Sequence, residues 1–219
     1  GYDIVTACTG FVYAMETGAK LVESGRYKNV MVIGADTMSS IVDYTDRNTC
    51  VIFGDGGGGV LLEPSEDETG ILDSILHTDG SGSKYLTVPA GGSLHPASKD
   101  TVDKRMHYVY QDGKTVFKFA VKNMAEVSKR ILDQNQLTGD DIKLFIPHQA
   151  NQRIIDAAAK RCGLDKEKVF ININKYGNTT AGTIPIALDE AVESKRLTKD
   201  DILLLSLIHI SEPTRRTPI

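Results

Sequence analysis

The 219-residue sequence has few cysteines, no excess of positive charge and no long apolar run. Its three cysteines, Cys8, Cys50 and Cys162, do not form a disulfide framework, so a reducing cytoplasm is the expected setting. Lysines and arginines total 25 against 29 aspartates and glutamates, which argues against general nucleic-acid binding. No apolar run reaches the roughly 20 residues of a membrane span, and the first residues do not resemble a signal peptide. These absences predict a globular protein that binds neither nucleic acid nor membranes.

The sequence does contain short apolar runs that alternate with helically spaced apolar residues. The helical spacing predicts helices at residues 11–23, 115–135, 151–162 and 182–194. The apolar runs predict strands at residues 2–7, 29–35, 60–62, 71–76, 142–146, 169–173 and 201–205. Residues 81–113 are rich in Gly, Ser, Pro and His and are predicted to form a long loop. This alternation predicts an α/β protein with mostly parallel sheets covered by helices.

Three polar residues lie in segments that could converge on one pocket. Cys8, in ACTGF, lies between a predicted strand and a helix, where the helix dipole is predicted to lower the thiol pKa. His148, in PHQAN, follows a predicted strand, and Asn178 lies in YGNTT. Taken singly, each has a plainer interpretation as a buried thiol, a structural histidine, or a turn or cap residue. A thiol nucleophile with two hydrogen-bonding side chains is what acyl transfer through a thioester needs.

The motifs ACTGF, PHQAN and YGNTTAG, with their spacings, resemble the 3-oxoacyl-[acyl-carrier-protein] synthase III family of the thiolase superfamily. The resemblance extends from residue 1 to about residue 205. It implies a thiolase-like layered α/β fold in which residues 1–79 are the remainder of an N-terminal half that carries the nucleophile. Residues 80–205 would then be a nearly complete C-terminal half with the histidine and the asparagine. The resemblance also implies that the chain is truncated at both ends.

The resemblance implies a decarboxylative Claisen condensation that initiates fatty-acid biosynthesis. Cys8 would take an acyl group from acyl-CoA, while His148 and Asn178 would donate hydrogen bonds to the malonyl thioester carbonyl. The carbanion from malonyl-[acyl-carrier-protein] would then attack the acyl-cysteine and give 3-oxoacyl-[acyl-carrier-protein]. An asparagine at the third position, rather than a second histidine, is typical of the type III and chalcone-synthase-like branch.

Other interpretations remain open from the residues alone. One is a related condensing enzyme of secondary metabolism, and another is a non-catalytic fragment that only binds acyl-CoA or a carrier protein. A third is an assembly artefact without function as written. The family resemblance implies a homodimer for the full-length protein and no cofactor other than the CoA thioester substrate. His77, His95, His107 and His209 show no metal-ligand spacing, so no metal site is expected.

Several basic residues and one asparagine match positions that contact substrates in the family. Arg47, in TDRNT, would contact the adenine end of CoA, and Asn151 would contact pantetheine; their alternatives are a solvated arginine and a helix N-cap. Three cations are spaced to share one helix face, and with a fourth from the preceding helix they would dock an acidic carrier protein. The alternative is a solvated charged face. The four cations are Arg153, Lys160 and Arg161 on one predicted helix and Lys118 on the preceding one.

Two further segments have special composition. FGDGGGG, at residues 53–59, lacks the ending of a nucleotide-binding loop and is interpreted as a turn where backbones approach closely. Residues 206–219 read SLIHISEPTRRTPI and resemble a translated transposase adapter; the alternative is a natural divergent tail. We interpret them as a non-native tail that replaces a Gly-rich turn of the family. That turn normally supplies an oxyanion donor beside the backbone N–H of Cys8, so the chain as written is expected to be poorly soluble and inactive.

Overall fold

The computed structural model describes residues 1–67 and 69–208, and the end of the predicted tail, from residue 209 on, lies outside them. Within this part of the chain, the helices are α1 (Gly10–Glu23), α2 (Lys99–Asp103), α3 (Gly113–Gln134), α4 (Gln152–Arg161), α5 (Ile173–Tyr176) and α6 (Thr183–Glu193). The strands are β1 (Val30–Asp36), β2 (Gly56–Leu62), β3 (Leu86–Thr87), β4 (Tyr110–Gln111), β5 (Leu144–Pro147) and β6 (Leu203–Ser206). None of the described helices is long and apolar enough to cross a membrane.

The first part of the chain packs α1 and α6 against an antiparallel ladder of β1 and β2, paired from Val30–Leu62 to Asp36–Gly56. Glycines allow this close packing. A Cβ on Gly58 would lie 3.0 Å from the Pro185 Cβ of α6. One on Gly56 would lie 2.8 Å from Ile186 Cδ1. The glycine run is therefore a surface of close approach, as the sequence predicted.

The second part packs α3 and α4 together beside the parallel pair β5 and β6, in register from Leu144–Leu203 to Pro147–Ser206. Its core contains Met124, Phe145 and Ile155. The two parts are not independent, because one buried cluster joins residues of α1, β1, β5 and α6. The members of that cluster are Phe11, Val32, Leu144, Ile146, Phe170, Ile184, Ala187 and Ala191.

The predicted mixture of strands and helices is confirmed, but the predicted excess of parallel pairing is wrong for the described ladders. β1–β2 and β3–β4 are antiparallel, and β5–β6 is the parallel ladder. The connection between β1 and β2 explains why this pair is antiparallel. It contains a 3₁₀ turn (Met38–Ser40) and no α-helix, and an antiparallel pair does not need the crossover helix of a parallel one.

The helices predicted at 11–23, 115–135, 151–162 and 182–194 are confirmed as α1, α3, α4 and α6, with ends that differ by two residues at most. The strands predicted at 29–35, 142–146 and 201–205 are confirmed with shifted ends as β1, β5 and β6. The strand predicted at 60–62 is longer, because β2 begins within the glycine run. The predicted loop at 81–113 contains a short antiparallel pair and α2, whose start is capped by Ser98 and Thr101.

Three predicted strands are wrong. Residues 2–7 and 71–76 lie in no ladder of the described structure and are mostly exposed or half-buried, so neither has the neighbour that a strand needs for its backbone hydrogen bonds. The strand predicted at 169–173 forms a single bridge to Phe145 and then turns into α5. The buried Gln149 explains why the extended segment ends here, because its Oε1 accepts hydrogen bonds from the backbone N–H groups of Asn172 and Ile173.

Candidate active site

Cys8 lies in a tight 3₁₀ turn, Ala7–Thr9, that leads directly into α1. The backbone N–H and the hydroxyl of Thr9 both donate to the Thr6 carbonyl, at 3.2 and 2.7 Å. Ala7 adopts a positive φ of 45°, which is uncommon for a residue with a Cβ and makes the turn sharp. The turn buries Cys8, whose residual exposure is 6%.

The prediction that the helix dipole lowers the pKa of Cys8 is wrong. The pKa of this thiol is raised from 9.0 to about 12, first by burial and then by the negative charge of Asp36, against the lowering effect of a hydrogen bond from its own backbone N–H. The free-energy cost of burying a thiolate is larger here than the stabilisation that the start of the helix offers to its charge. The Cys8 side chain is therefore a protonated thiol at neutral pH.

His148 follows β5 and is fixed by both its backbone and its ring. Its N–H donates to the Ser206 carbonyl at 2.8 Å, and its Nδ1 lies 2.8 Å from the Thr183 Oγ1. Ser206 also accepts a hydrogen bond from the buried Ser128 hydroxyl at 2.7 Å. The first residue of the segment interpreted as a tail is thus part of β6, while the origin of residues 206–219 stays a prediction.

Asn178 is held at the start of another sharp turn. Its N–H donates to the Ile52 carbonyl at 2.9 Å, and its own carbonyl accepts from Gly54 at 3.0 Å, beside the glycine run. The side-chain Oδ1 accepts from the Thr180 N–H at 2.9 Å. This bond fixes the amide so that the Nδ2 group, a donor, lies at the opposite end.

Asp36, at the end of β1, connects this turn to the Cys8 side of the site. Its Oδ2 accepts hydrogen bonds from the Ala181 N–H, at 3.0 Å, and from the Thr180 hydroxyl. Thr180 itself has a positive φ of 50°. The carboxylate therefore stabilises a strained turn, and it also disfavours ionisation of Cys8. This role could not be predicted from the sequence, because Asp36 lies 144 residues before Thr180.

The structure brings Cys8, His148 and Asn178 together on the wall of one cavity of about 490 Å³. Phe53, Phe117 and Met124 contribute apolar surface to the same wall, and Asn151 and Arg153 also line it. All three polar residues are buried, with 6% exposure or less. A nucleophile and two hydrogen-bonding side chains in one partly apolar cavity can carry out acyl transfer. Their individual roles stay predictions.

The other predicted binding residues are distributed unevenly around this cavity. Asn151 caps α4, since its Oδ1 accepts from the Arg153 N–H at 2.9 Å; its contact with pantetheine stays a prediction. The Arg153 guanidinium lies over the Phe117 ring, 4.8 Å from the centroid. Three further predicted residues are exposed and do not line the cavity, namely Arg47, Lys118 and Lys160. Arg161, exposed at the end of α4, lies outside the cavity wall as well.

A larger cavity, of about 850 Å³, lies between α1, α3 and residues 69–79. None of the three polar residues of the candidate site lines it. The smaller cavity is therefore the one that contains the candidate catalytic side chains. Among residues 1–67 and 69–208, no group of three or more His, Cys, Asp or Glu side chains could hold a metal ion.

Comparison with known proteins matches both parts of the chain to one family. Residues 2–80 match the model of 3-oxoacyl-[acyl-carrier-protein (ACP)] synthase III, and residues 132–209 match the model of its C-terminal part. The second match continues past Ser206, the first residue of the predicted tail.

Individual relatives agree with these matches. A beta-ketoacyl-[acyl-carrier-protein] synthase III of Koribacter versatilis is 54% identical over 210 residues, which are 95% of this chain and 63% of the relative. One of Chlorobium phaeobacteroides is 56% identical over 208 residues, 94% of this chain and 63% of the relative. The crystal structure of 3-oxoacyl-[acyl-carrier-protein] synthase III from Aquifex aeolicus has a TM-score of 0.84 at 40% identity and covers 95% of this chain and 63% of its own.

The chain thus spans about 63% of the length of the curated relatives that it matches. The structural match confirms the predicted thiolase-like layered α/β fold, and the sequence matches confirm the predicted resemblance. The chain belongs to the 3-oxoacyl-[acyl-carrier-protein] synthase III family.

Proposed function

We propose that this chain carries the reacting residues of a condensing enzyme that joins an acyl-CoA starter to malonyl-[acyl-carrier-protein] and so initiates fatty-acid synthesis. The observation that carries the proposal is the convergence of Cys8, His148 and Asn178 on one cavity. Family membership and the names of the curated relatives support the same reaction.

In the first half of the proposed reaction, the Cys8 sulfur attacks the thioester carbonyl of acyl-CoA. A new thioester forms on Cys8, the bond to the CoA sulfur breaks, and CoA leaves as its thiol with the proton that Cys8 gave up. The raised pKa of Cys8 means that this proton is still present when the substrate arrives. Its transfer is therefore part of the acylation step and does not precede it.

In the second half, the malonyl group loses CO₂, and the electron pair of the broken C–C bond forms an enolate. The enolate oxygen accepts hydrogen bonds from Asn178 Nδ2 and from the His148 ring. Donors that are already oriented stabilise such a charge more than water would. The enolate carbon then attacks the acyl group on Cys8, the 3-oxoacyl product leaves, and the Cys8 thiolate takes up a proton.

The remaining assignments belong to the same proposal. Arg47 and Asn151 contact CoA and its pantetheine arm, and the exposed cations near α4 attract the acidic carrier protein. The reaction needs no cofactor beyond the CoA thioester. The complete protein acts in the cytoplasm as a homodimer.

The test uses two proteins, the 219-residue chain and a version extended by the segments that the Koribacter versatilis relative carries beyond the aligned region. The extended protein is expected to release CO₂ from malonyl-[acyl-carrier-protein] and to form a 3-oxoacyl product with acyl-CoA, whereas the chain alone is expected to do neither. A folded extended protein that binds acyl-CoA without releasing CO₂ would favour the non-catalytic alternative. A product other than 3-oxoacyl-[acyl-carrier-protein] would favour a related enzyme of secondary metabolism.

A further inference from the structure

The Thr183 hydroxyl lies between the His148 ring and a backbone carbonyl at the centre of the site. Its Oγ1 is 2.8 Å from His148 Nδ1 and 3.0 Å from the Thr180 carbonyl oxygen. Thr183 is 2% exposed, so water cannot readily replace either contact. A hydroxyl has one proton, so it can donate to only one of these two atoms at a time.

Two arrangements fit these contacts: Thr183 donates to the carbonyl and accepts from a protonated Nδ1, or it donates to an unprotonated Nδ1. The Thr180 carbonyl already accepts the backbone N–H of Thr183, which closes the 3₁₀ turn Thr180–Gly182. A hydrogen bond to His148 Nδ1 therefore leaves no carbonyl without a donor, and it is also the shorter of the two contacts. If Nδ1 accepts, the proton of a neutral imidazole must lie on Nε2.

We propose that Thr183 is the positioning residue that holds neutral His148 in its Nε2–H tautomer. The same turn orients both donors, because Thr180 fixes the Asn178 amide and Thr183 fixes the ring. Asp36 stabilises the turn from β1 through Thr180 and Ala181. The contacts allow either tautomer, and the choice of Nε2–H rests on the proposed function, in which the His148 ring donates to the enolate oxygen while Thr183 occupies Nδ1.

The direct test is nitrogen NMR of the extended protein labelled with ¹⁵N-histidine, at a mildly alkaline pH where imidazole side chains are neutral. A His148→Gln variant assigns the signals. The unsubstituted chain is expected to show an unprotonated Nδ1 and a protonated Nε2. Thr183→Ser, which keeps the hydroxyl, should give the same pattern. Thr183→Val removes the donor but keeps the branched shape, so the Nδ1 resonance should shift as it loses its hydrogen bond.

Two results would overturn the assignment: a protonated Nδ1 in the unsubstituted chain, or an Nδ1 resonance that does not move in Thr183→Val. If the valine variant does not fold, the unsubstituted chain and Thr183→Ser still decide the tautomer. Neither readout depends on activity, so a failed condensation assay would count against the proposed function and not against the tautomer.

A second arm connects the tautomer to the reaction in the extended protein. Thr183→Val is expected to lower kcat for malonyl decarboxylation by about tenfold, less than the roughly 10²–10³-fold cost of deleting an oxyanion donor. It should leave KM and the acylation of Cys8 almost unchanged, and Thr183→Ser should restore kcat. An equal loss in both half-reactions would indicate a merely structural role.

Discussion

The two sides of the cavity are built differently. On one side, a single turn with defined hydrogen bonds holds Asn178 and His148 through Thr180 and Thr183. On the other side, Cys8 follows residues 1–6, which lie in no ladder of the described structure. The hydroxyl of the preceding Thr6 is buried without a hydrogen-bond partner in this part of the chain. The Asn178 and His148 side chains are thus fixed by hydrogen bonds, whereas burial and Asp36 outweigh the one hydrogen bond that favours ionisation of Cys8.

This difference suits the two half-reactions of the proposed condensation. Enolate stabilisation needs donors that do not reorganise when charge develops. Acylation instead needs a sulfur whose proton can be lost when substrate arrives, and burial with the nearby Asp36 keeps that proton on Cys8 until then. Substitutions on the two sides should therefore affect different steps.

The largest expected effect is that of Cys8→Ala in the extended protein. Loss of the nucleophile should reduce condensation by a factor on the order of 10⁶, as loss of a catalytic serine does in a well-studied protease. Intact-mass measurement and peptide mapping after incubation with acyl-CoA should place a single acyl group on Cys8 of the parent protein. The assignment fails if Cys50 or Cys162 carries the acyl group while Cys8 remains free.

The second prediction tests the raised pKa of Cys8 through stability. Below pH 9 the thiol is protonated in both the folded and the unfolded state, so it adds no pH dependence. Above pH 9 the unfolded thiol ionises while the folded one, with a pKa of about 12, keeps its proton. The free energy of unfolding should therefore fall by about 1.4 kcal/mol per pH unit from pH 9 toward pH 12.

Urea unfolding of the extended protein and of its Cys8→Ser variant at several pH values between about 8 and 10 isolates the contribution of the Cys8 thiol, since serine does not titrate there. Cys162, whose pKa is also raised by burial, is present in both proteins and cancels in the difference. Parallel pH curves for the two proteins would mean that the Cys8 thiol ionises as readily in the folded as in the unfolded state.

Asn178→Ala tests the opposite side of the cavity. It should lower decarboxylation by roughly 10²–10³-fold while Cys8 still accepts an acyl group, because the lost donor acts on the enolate. Asn172→Ala is the matched control. Asn172 is also buried, but its amide donates to Glu190 and it does not line the cavity. The control should lose stability without changing the ratio of the two half-reactions; decarboxylation at the parent rate in Asn178→Ala would refute its role as a donor.

The sequence predicted those features of the fold and of the site that depend on local residue patterns. Helical spacing located α1, α4 and α6, and the glycine run was interpreted correctly as a place of close approach. The three motif residues lie on one cavity, as the family resemblance implied. Such features are encoded over a few neighbouring residues, or in motifs that a family shares.

What the sequence did not predict depends on contacts between distant residues. The strands expected at 2–7 and 71–76 failed because a strand requires a partner, and an apolar run does not specify one. The pKa of Cys8 was predicted in the wrong direction because burial depth and Asp36 are not visible from its neighbours. Thr183 was missed because its partner His148 lies 35 residues away.

Asp36→Asn should affect both sides of the cavity, with a smaller effect on each. The amide oxygen can still accept from Ala181, but the negative charge that disfavours the Cys8 thiolate is gone. Alkylation of Cys8 by iodoacetamide at a fixed pH is therefore expected to be several-fold faster, because a smaller pKa shift leaves more thiolate. Decarboxylation should become slower, since the turn loses a charged anchor. Slower alkylation in this variant would show that Asp36 acts only through structure.

The smallest expected effect concerns the edge of the cavity. Arg153→Glu in the extended protein should raise KM for malonyl-[acyl-carrier-protein] by roughly two- to tenfold and leave KM for acyl-CoA almost unchanged. The effect should shrink with added salt, because the Debye length is only about 8 Å at physiological ionic strength. Arg26→Glu, the same charge change at an exposed position after α1, is the control and should alter neither KM. Arg153 both lines the cavity and stacks on Phe117, so equal losses for the two substrates would assign the residue to the cavity wall and not to carrier docking.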